Sequence, residues 1–257
     1  MLPICCVQSL FLGQHGTYIF QTKNTKERTN MYTYFLSFLS DTWTPIEEDL
    51  LAYISPKRRA HLLRYIHPAD RKLSLYAALL TRMILLIHTP LTWKDLQFHS
   101  EDNHKPSLIT NPSIDFNFSH TRNAVLCCVS PNTTVGVDVE SCEKAPFEIM
   151  DTVFHPDEIA YISAATDKEK QERFFRVWTQ KEAYTKRNGT GLVCNLTDIN
   201  TLSPSVSNSL YSFKINQYTC SVCSDLVHPP VPKIVSTQDV LQFFTLSSNT
   251  KTPIIRR

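Results

Sequence analysis

The most constraining feature of this sequence is a short segment, residues 135–140, in which three valines alternate with Gly136, Asp138 and Glu140. An alternation with a period of two is typical of a β-strand with one buried face, so both carboxylates leave the strand on the opposite face. A strand that only fills a core has no need of two acids. Taken alone, the segment could also be the solvent-exposed face of an edge strand.

A second segment places another acid on a predicted helix. Its side chains at i, i+4 steps are Phe174, Trp178, Glu182 and Lys186. Glu182 therefore lies on one helical line between an aromatic ring and an ammonium group. Carboxylates from a strand and a helix supply the hard oxygen ligands that Mg²⁺ takes, and this ion completes its coordination with water and substrate phosphates. These residues predict a magnesium site and a phosphate-containing substrate, and the alternative for Glu182 and Lys186 is an exposed ion pair.

The composition predicts a globular protein. The chain has 257 residues, of which 42% are hydrophobic and 11% aromatic, enough to bury a core in one large domain or in two halves. The net charge is only +2, but residues 57–72 contain six Lys or Arg and one acid, whereas residues 136–158 contain seven acids and one Lys. Such surfaces can hold a polyanion and a metal ion, although each run could also be a solvated helix face.

The sequence gives little support for nucleic-acid or zinc binding. Within the basic run, residues 57–72, Tyr65 is the one aromatic residue, and the overall charge is close to neutral, so no nucleic acid is expected. Of the eight cysteines, only Cys220 and Cys223 have the spacing of a zinc-binding pair, and no second pair accompanies them. The apolar run at residues 124–129 contains two cysteines that fit a reduced, cytoplasmic protein.

A membrane-spanning segment is not expected either. The apolar stretch at residues 73–91 is interrupted by Arg82 and His88, so it predicts a core helix. The apolar start at residues 1–12 has no basic residues ahead of it, which argues against a signal peptide. We expect residues 1–30 to form an N-terminal extension that need not be ordered.

Helix and strand patterns are mixed along the chain without strict alternation, which predicts an α+β fold. The predicted helices include residues 70–88, 147–154, 156–164 and 168–186. The pair Asn188-Gly189 predicts the end of the last of these helices. The predicted strands are residues 96–99, 114–119, 124–130, 135–140, 212–223 and 242–246.

Five segments of the sequence follow one another in the order found in one protein family. They are residues 54–59, the turn His104-Lys105-Pro106, the sequence Phe-Asn-Phe-Ser-His at residues 116–120, residues 136–140 and residues 175–191. Through these segments the sequence resembles the 4'-phosphopantetheinyl transferases of the Sfp type, from about residue 44 to about residue 196. Each segment is common by itself, whereas five in this order are specific.

The resemblance implies a fold of two similar α/β halves packed face to face, with the substrate cleft between them. We expect residues 31–131 to form the first half and residues 132–257 to form the second half, which carries the magnesium site. The implied reaction is attack of a serine hydroxyl of an apo-acyl or peptidyl carrier protein on the pyrophosphate of coenzyme A. It gives phosphopantetheinyl-serine and 3',5'-ADP, with Mg²⁺ as cofactor and coenzyme A as co-substrate. A monomer is expected.

The resemblance also implies roles for individual residues. The metal ligands are expected to be Asp138, Glu140 and Glu182, and Glu182 is also expected to be the general base. Lys186 matches a lysine that approaches the reacting phosphates. Contacts to coenzyme A are expected from four further residues: Arg58, Lys105, Ser119 and His120.

Two positions depart from the family pattern. Leu73 stands where the family usually has an arginine, and His104 stands where it usually has a glycine before the lysine of the turn. Arg71 or Lys72 could supply the missing charge. Two other functions are compatible with the same acids: a magnesium-dependent phosphohydrolase with water as nucleophile, and a non-catalytic homologue that binds coenzyme A or a carrier protein. The sequence does not identify the carrier protein or its pathway.

Overall fold

In a computed structural model, which describes residues 31–37, 40–99, 104–189, 195–225 and 231–249, the strands form two larger sheets and one small pair. The strands are β1 (Tyr32–Ser37), β2 (Phe98–His99), β3 (Ser107–Leu108), β4 (Asp115–Thr121), β5 (Ala124–Ser130), β6 (Gly136–Ser141), β7 (Leu210–Ile215), β8 (Tyr218–Cys223) and β9 (Lys233–Val235). The first sheet has the order β4-β5-β1-β9, the second has the order β6-β8-β7, and β2 pairs with β3.

Two long helices accompany these sheets. The helices are α1 (Pro45–Leu50), α2 (Pro56–Leu62), α3 (Pro68–His88), α4 (Met150–Val153), α5 (Pro156–Ser163), α6 (Asp167–Asn188), α7 (Pro204–Ser207) and α8 (Thr237–Asn249). Thr166 and Glu169 form a capping box that satisfies backbone N–H groups at the start of α6. The helix ends at Gly189, whose φ of 68° is left-handed, as the Asn188-Gly189 pair predicts.

The strand β5 of the first sheet is buried on both faces. All seven residues of β5 are buried. The residues of β5 that face α3 are Val125, Cys127 and Val129, and those that face the second sheet are Ala124, Leu126 and Cys128. Burial on both faces explains why this strand reads as an uninterrupted apolar run.

The second sheet packs on the first through one face and on α6 through the other. Val137 and Val139 of β6 share a core with Phe35 of β1 and Leu126 of β5. The opposite faces of β6 and β8 contact α6. The layers therefore follow the order α3, first sheet, second sheet, α6, which confirms the predicted α+β fold of two halves packed face to face.

The end of the described chain returns to the first sheet. β9 runs parallel to β1, and Val240 and Phe244 of α8 are buried in the core beneath α3. The predicted strand at residues 242–246 is therefore wrong, because these residues lie within α8. The predicted boundary between residues 131 and 132 stays a prediction, and the predicted extension at residues 1–30 lies outside the described residues.

The described cysteines are Cys127, Cys128, Cys142, Cys220 and Cys223, and all of them are free thiols. Four are buried, and Cys142 is partly exposed. No helix in the described ranges has the length and apolar character needed to cross a bilayer.

His88, at the end of α3, is held in an aromatic environment. Its Nε2 atom lies 2.7 Å from the hydroxyl of Tyr34, and its ring stacks on Tyr32 at a centroid distance of 3.7 Å. Burial, followed by the positive charge of Lys233, lowers the pKa of His88 from an ordinary value of 6.5 to about 4. The folded protein therefore keeps this imidazole neutral where the unfolded chain would protonate it.

We expect the free energy of unfolding to fall as the pH decreases from 6.5 towards 4, because over this window the unfolded state binds a proton at His88 and the folded state does not. Above pH 6.5 both states are neutral at this position, and the contribution disappears. His88→Gln keeps a hydrogen-bond acceptor for Tyr34 and removes the titration, so its stability should fall less over this window. The exposed His67 offers a control, and a His67→Gln curve as flat as that of His88→Gln would contradict the assignment.

Candidate active site

The two predicted acids of β6 point towards α6. Asp138 is buried, with 2% of its surface exposed. Its Oδ1 atom accepts hydrogen bonds from the hydroxyl of Ser119 at 2.7 Å and from Nζ of Lys186 at 2.6 Å. Its Oδ2 atom is buried and has no hydrogen-bond partner. A buried carboxylate oxygen without a donor is costly, so this atom fits a position that a cation contacts.

Glu140 is held by one donor from each side. Thr121 of β4 donates from Oγ1 to Oε2 at 3.1 Å, and Trp178 of α6 donates from Nε1 to Oε1 at 3.4 Å. Burial, followed by the negative charge of Asp138, raises the pKa of Glu140 to about 7. Asp138 and Glu140 are neighbouring acids, and Oδ2 of Asp138 is buried without a hydrogen-bond partner. This arrangement favours the binding of a positive charge.

Glu182 and Lys186 complete the group from α6. Lys186 lies 3.8 Å from the carboxylate of Glu182 and 2.6 Å from that of Asp138. Burial raises the pKa of Glu182; the charge of Lys186 opposes this increase, and that of Asp138 adds to it. Burial opposes the charge of Lys186, but the nearby carboxylates, Asp138 first, raise its pKa above the ordinary value. The predicted strand and helix thus bring their acids and the lysine into one electrostatic group.

The donor set fits Mg²⁺ in its chemistry. Asp138, Glu140 and Glu182 supply hard carboxylate oxygens. Oδ2 of Asp138 accepts no hydrogen bond, so its lone pairs are available to a cation. In the conformation described, however, Lys186 supplies the positive charge at Asp138. Across the described ranges, no three His, Cys, Asp or Glu side chains converge closely enough to hold a metal ion. The assignment of these three acids as ligands therefore stays a prediction.

Gly136 sets the distance between β6 and α6. A Cβ atom at this position would lie 2.0 Å from the carbonyl oxygen of Ala183 and 2.4 Å from the backbone nitrogen of Arg187. Both contacts are with helix backbone, which cannot move aside as a side chain can. The glycine therefore permits the close approach that places Asp138 beside Lys186.

We expect Gly136→Ala to lower the free energy of unfolding by about 3 kcal/mol, the upper end of the usual cost of overpacking, because the added methyl group must push α6 away from β6. Chemical denaturation measures this loss. Gly189→Ala is the matched control: its φ of 68° is left-handed and no atom lies within 4 Å of the added Cβ, so it should cost only about 1–2 kcal/mol. An equal or larger loss for Gly189→Ala would contradict the close-approach argument.

Two of the predicted coenzyme A contacts lie near these acids. Ser119 is already engaged, since it donates to Asp138 and accepts from Lys186 at 3.0 Å. His120 follows it and is exposed. Desolvation by the surrounding protein, followed by the charges of Lys186 and Arg58, lowers the pKa of His120. These cations make the region around His120 suitable for an anion.

Arg58 contributes to the same region from α2. Its Nη2 atom donates to the hydroxyl of Ser74 at 2.9 Å, and the guanidinium carbon lies 5.9 Å from the ring centre of Phe118. Arg82 of α3, which the sequence analysis does not select, is also buried, with its guanidinium carbon 4.7 Å from the ring centre of Phe98. Burial, followed by the charge of Arg58, lowers the pKa of Arg82 to about 10.

Lys105 is not brought together with the other predicted contacts. Its ammonium group forms an ion pair with Asp115 and donates to the carbonyl of Val135 at 2.7 Å. Asp115 begins β4, whereas His120 lies near its end. At about 3.3 Å per residue, Asp115 and His120 lie roughly 16 Å apart along β4. Lys105, which pairs with Asp115, is therefore at the opposite end of this strand from His120.

The missing arginine at Leu73 is not replaced by a free neighbour. Leu73 is buried in the core between α3 and the first sheet. Lys72 pairs with Glu47 at 3.1 Å, and the guanidinium carbon of Arg71 lies 5.5 Å from the ring centre of Trp43. Both candidate substitutes therefore already have structural contacts.

Thr121 is a further residue of this site that the sequence did not point out. Its signal was the alternation of polar residues along β4, at positions 115, 117, 119 and 121. An alternating polar face opposite an apolar one marks a strand surface that meets something polar. The structure identifies that surface as β6, including Glu140.

Two family models match the chain in succession. One, described as 4'-phosphopantetheinyl transferase, N-terminal, matches residues 41–132, and the other, described as the 4'-phosphopantetheinyl transferase superfamily, matches residues 134–238. The chain belongs to the 4'-phosphopantetheinyl transferase superfamily. This membership confirms the family-level part of the resemblance found in the sequence.

Relatives of the chain carry related names. It is 28% identical over 145 residues to 4'-phosphopantetheinyl transferase Sfp of Bacillus subtilis, a match that covers 56% of this chain and 64% of the relative. It is 29% identical over 143 residues to 4'-phosphopantetheinyl transferase gsp of Aneurinibacillus migulanus, covering 56% and 59%. It is 27% identical over 172 residues to L-aminoadipate-semialdehyde dehydrogenase-phosphopantetheinyl transferase of Mus musculus, covering 61% and 56%. The chain thus spans about 60% of the length of the curated relatives it matches.

Proposed function

We propose that the protein is an Sfp-type 4'-phosphopantetheinyl transferase. It transfers the 4'-phosphopantetheine group of coenzyme A to a serine hydroxyl of an apo-acyl or peptidyl carrier protein and releases 3',5'-ADP. The observation that carries the proposal is the buried Asp138, whose Oδ2 atom lacks a donor, grouped with Glu140, Glu182 and Lys186 between β6 and α6. Family membership supports the same reaction.

Phosphoryl transfer asks a protein mainly for alignment, charge neutralisation and removal of the hydroxyl proton. Mg²⁺, when bound, would neutralise charge on the pyrophosphate, and Asp138, Glu140 and Glu182 would hold it. Lys186 supplies a second positive charge at the same place, fixed by its 2.6 Å contact with Asp138. Because its pKa is raised, this ammonium group stays protonated at neutral pH.

Glu182 is the proposed general base for the serine hydroxyl. Burial raises its pKa above the ordinary value, which makes it a better proton acceptor than an exposed carboxylate while leaving it partly accessible, with 13% of its side chain exposed. The proton of the attacking hydroxyl passes to a carboxylate oxygen of Glu182, and the serine oxygen attacks the β-phosphorus of the pyrophosphate. The leaving group is 3',5'-ADP.

Arg58, Ser119 and His120 are proposed to bind the phosphates of coenzyme A. Burial, followed by the positive charges of Lys186 and Arg58, lowers the pKa of His120, so both cations act electrostatically on this imidazole. Lys105 is included on the resemblance alone, because its ammonium group is paired with Asp115 in this conformation. The proposal also includes a monomer located in the cytoplasm, and the free thiols of the described cysteines are compatible with that location.

The test is incubation of the protein with coenzyme A, Mg²⁺ and a panel of apo-carrier proteins, followed by measurement of their intact masses. We expect at least one carrier to gain the mass of one phosphopantetheine group, and its serine-to-alanine variant to gain none. Loss of coenzyme A without any gain of mass on the carriers would support a phosphohydrolase instead. Binding of coenzyme A without either reaction would support a non-catalytic homologue.

A further inference from the structure

The two sheets meet along β4 and β6, which are edge strands of their respective sheets. Their backbones are not paired with each other in the sheets described. Instead, alternate side chains of β4 reach across to β6, and we call these four contacts the inter-sheet ladder. Its members on β4 are Asp115, Asn117, Ser119 and Thr121.

The chemistry of the inter-sheet ladder changes halfway along it. Asp115 and Asn117 each accept a hydrogen bond at 2.8 Å from a backbone N–H, those of Val135 and Val137. Acceptors of this kind only replace the missing backbone pairing of an edge strand. The next two members are hydroxyl donors, and they bond to the carboxylates of the predicted metal ligands.

The two hydroxyl groups differ in how they are used. Ser119 is shared, since it donates to Asp138 at 2.7 Å and accepts from Lys186 at 3.0 Å. Thr121 directs its hydroxyl to Oε2 of Glu140 at 3.1 Å. The opposite oxygen of that carboxylate is reached by Trp178 at the longer distance of 3.4 Å. The shorter and better of the two contacts that orient Glu140 therefore comes from the other sheet.

A glutamate side chain loses considerable rotational freedom when it is fixed for ligand binding. A donor that fixes the carboxylate beforehand leaves the remaining lone pairs of its oxygens to face a cation, as partners of ligating carboxylates commonly do. We propose that Thr121 is a positioning residue that orients Glu140 for a divalent cation. The alignment of β4 with β6 then fixes the Glu140 carboxylate before the cation binds. This inference rests on the proposed function only in assigning Glu140 to a cation.

The experiment measures cation binding by the full chain without coenzyme A, using Mn²⁺ and the electron paramagnetic resonance signal of the free ion. Thr121→Val has nearly the same shape but no donor, and we expect it to raise the dissociation constant for Mn²⁺ about 10–100-fold, as for lost partners of metal ligands. Thr121→Ser restores the hydroxyl and should bind within about 3-fold of the wild type. Thr121→Ala provides a second variant without the donor if valine impairs folding.

The matched control is Thr219→Val. Thr219 lies opposite Glu140 on β8 and is buried, and its hydroxyl forms a hydrogen bond with the thiol of Cys142 at 2.9 Å rather than with a carboxylate. It should therefore keep the wild-type affinity for Mn²⁺. Wild-type affinity in Thr121→Val, or an equal loss in both valine variants, would overturn the inference.

The inference and the proposed function fail in different ways. A wild-type protein that modifies a carrier but shows no Mn²⁺ binding in the absence of coenzyme A overturns the role of Thr121 and leaves the transferase activity in place. Mn²⁺ binding that depends on Thr121, together with no modification of any carrier, supports the positioning role and removes the proposed reaction.

Discussion

Replacing Lys181 with methionine is expected to lower the free energy of unfolding by about 3–5 kcal/mol, because the change leaves a fully buried carboxylate without its counter-charge. Lys181 and Glu158 lie 2.7 Å apart, and their side chains are 1% and 0% exposed. The ammonium group also donates to the carbonyls of Leu196, at 2.9 Å, and Ile199. Methionine fills nearly the same volume, so the loss reports charge and hydrogen bonding more than packing.

Glu158 has further partners that make the pair a structural junction. It accepts from the backbone nitrogen and the hydroxyl of Thr201 at 2.7 and 2.6 Å, and from the backbone nitrogen of His155 at 2.9 Å. The junction ties α5 and the segment at residues 196–201 to α6. Because Lys181 precedes Glu182, this junction also fixes the part of α6 that presents the proposed base.

Urea denaturation of Lys181→Met and of Lys214→Met compares the stability lost with a buried ion pair to that lost with an exposed one. Lys214 pairs with Glu172 at the same distance of 2.7 Å, but the two side chains are 50% and 57% exposed. That surface pair should contribute only about 0–1 kcal/mol. The double variant Lys181→Met, Glu158→Gln removes the stranded charge and keeps an acceptor for Thr201, so it should regain part of the loss. Equal losses for Lys181→Met and Lys214→Met would contradict the argument.

The local parts of the site were predictable because their signals lie within single elements. The alternation at residues 135–140 predicted that Asp138 and Glu140 share a face, and the i, i+4 spacing on α6 predicted that Glu182 and Lys186 are neighbours. Neither the strand periodicity nor the helix periodicity predicted how closely β6 approaches α6. It depends on Gly136, whose missing side chain admits the helix backbone.

The misassigned strand at residues 242–246 has a physical explanation. A short apolar run fits a buried strand and one face of a helix equally well, so periodicity does not decide between them. In the structure, Phe244 packs from α8 against the aromatic rings of Tyr53 and Trp93. Those partners are distant in sequence, and only the tertiary fold brings them together.

The predicted phosphate contacts stay predictions, and the sequence did not show which partners each of these side chains has in the fold. A lysine in a turn is expected to have a positive charge available for a ligand, but Lys105 forms an ion pair with Asp115. Ser119 reads as a free hydroxyl, but it bridges Asp138 and Lys186. Pairing of this kind depends on which side chains the sheets bring into contact, and that information is absent from the spacing of the motifs.

Glu182→Gln is expected to reduce the rate of phosphopantetheine transfer by about two to four decades at saturating Mg²⁺, the usual contribution of a general base. Glutamine keeps the shape of the side chain and one ligand oxygen, but it does not take up the proton of the attacking serine. Asp138→Ala should behave differently, because it removes the buried carboxylate that Lys186 and the orphaned oxygen mark as a cation contact. Its lost rate should recover in part as the concentration of Mg²⁺ is increased.

The comparison needs a control for the chemical change itself, and Glu172→Gln on the same helix provides one, since Glu172 is exposed and pairs with Lys214. Its transfer rate should equal that of the wild type. If added Mg²⁺ restored the transfer rate of Glu182→Gln, the role of Glu182 would be cation binding alone and not proton removal. A near wild-type rate for Glu182→Gln at saturating Mg²⁺ would rule out its role as base, and the search for the proton acceptor would turn to Glu140, whose pKa burial and Asp138 raise to about 7.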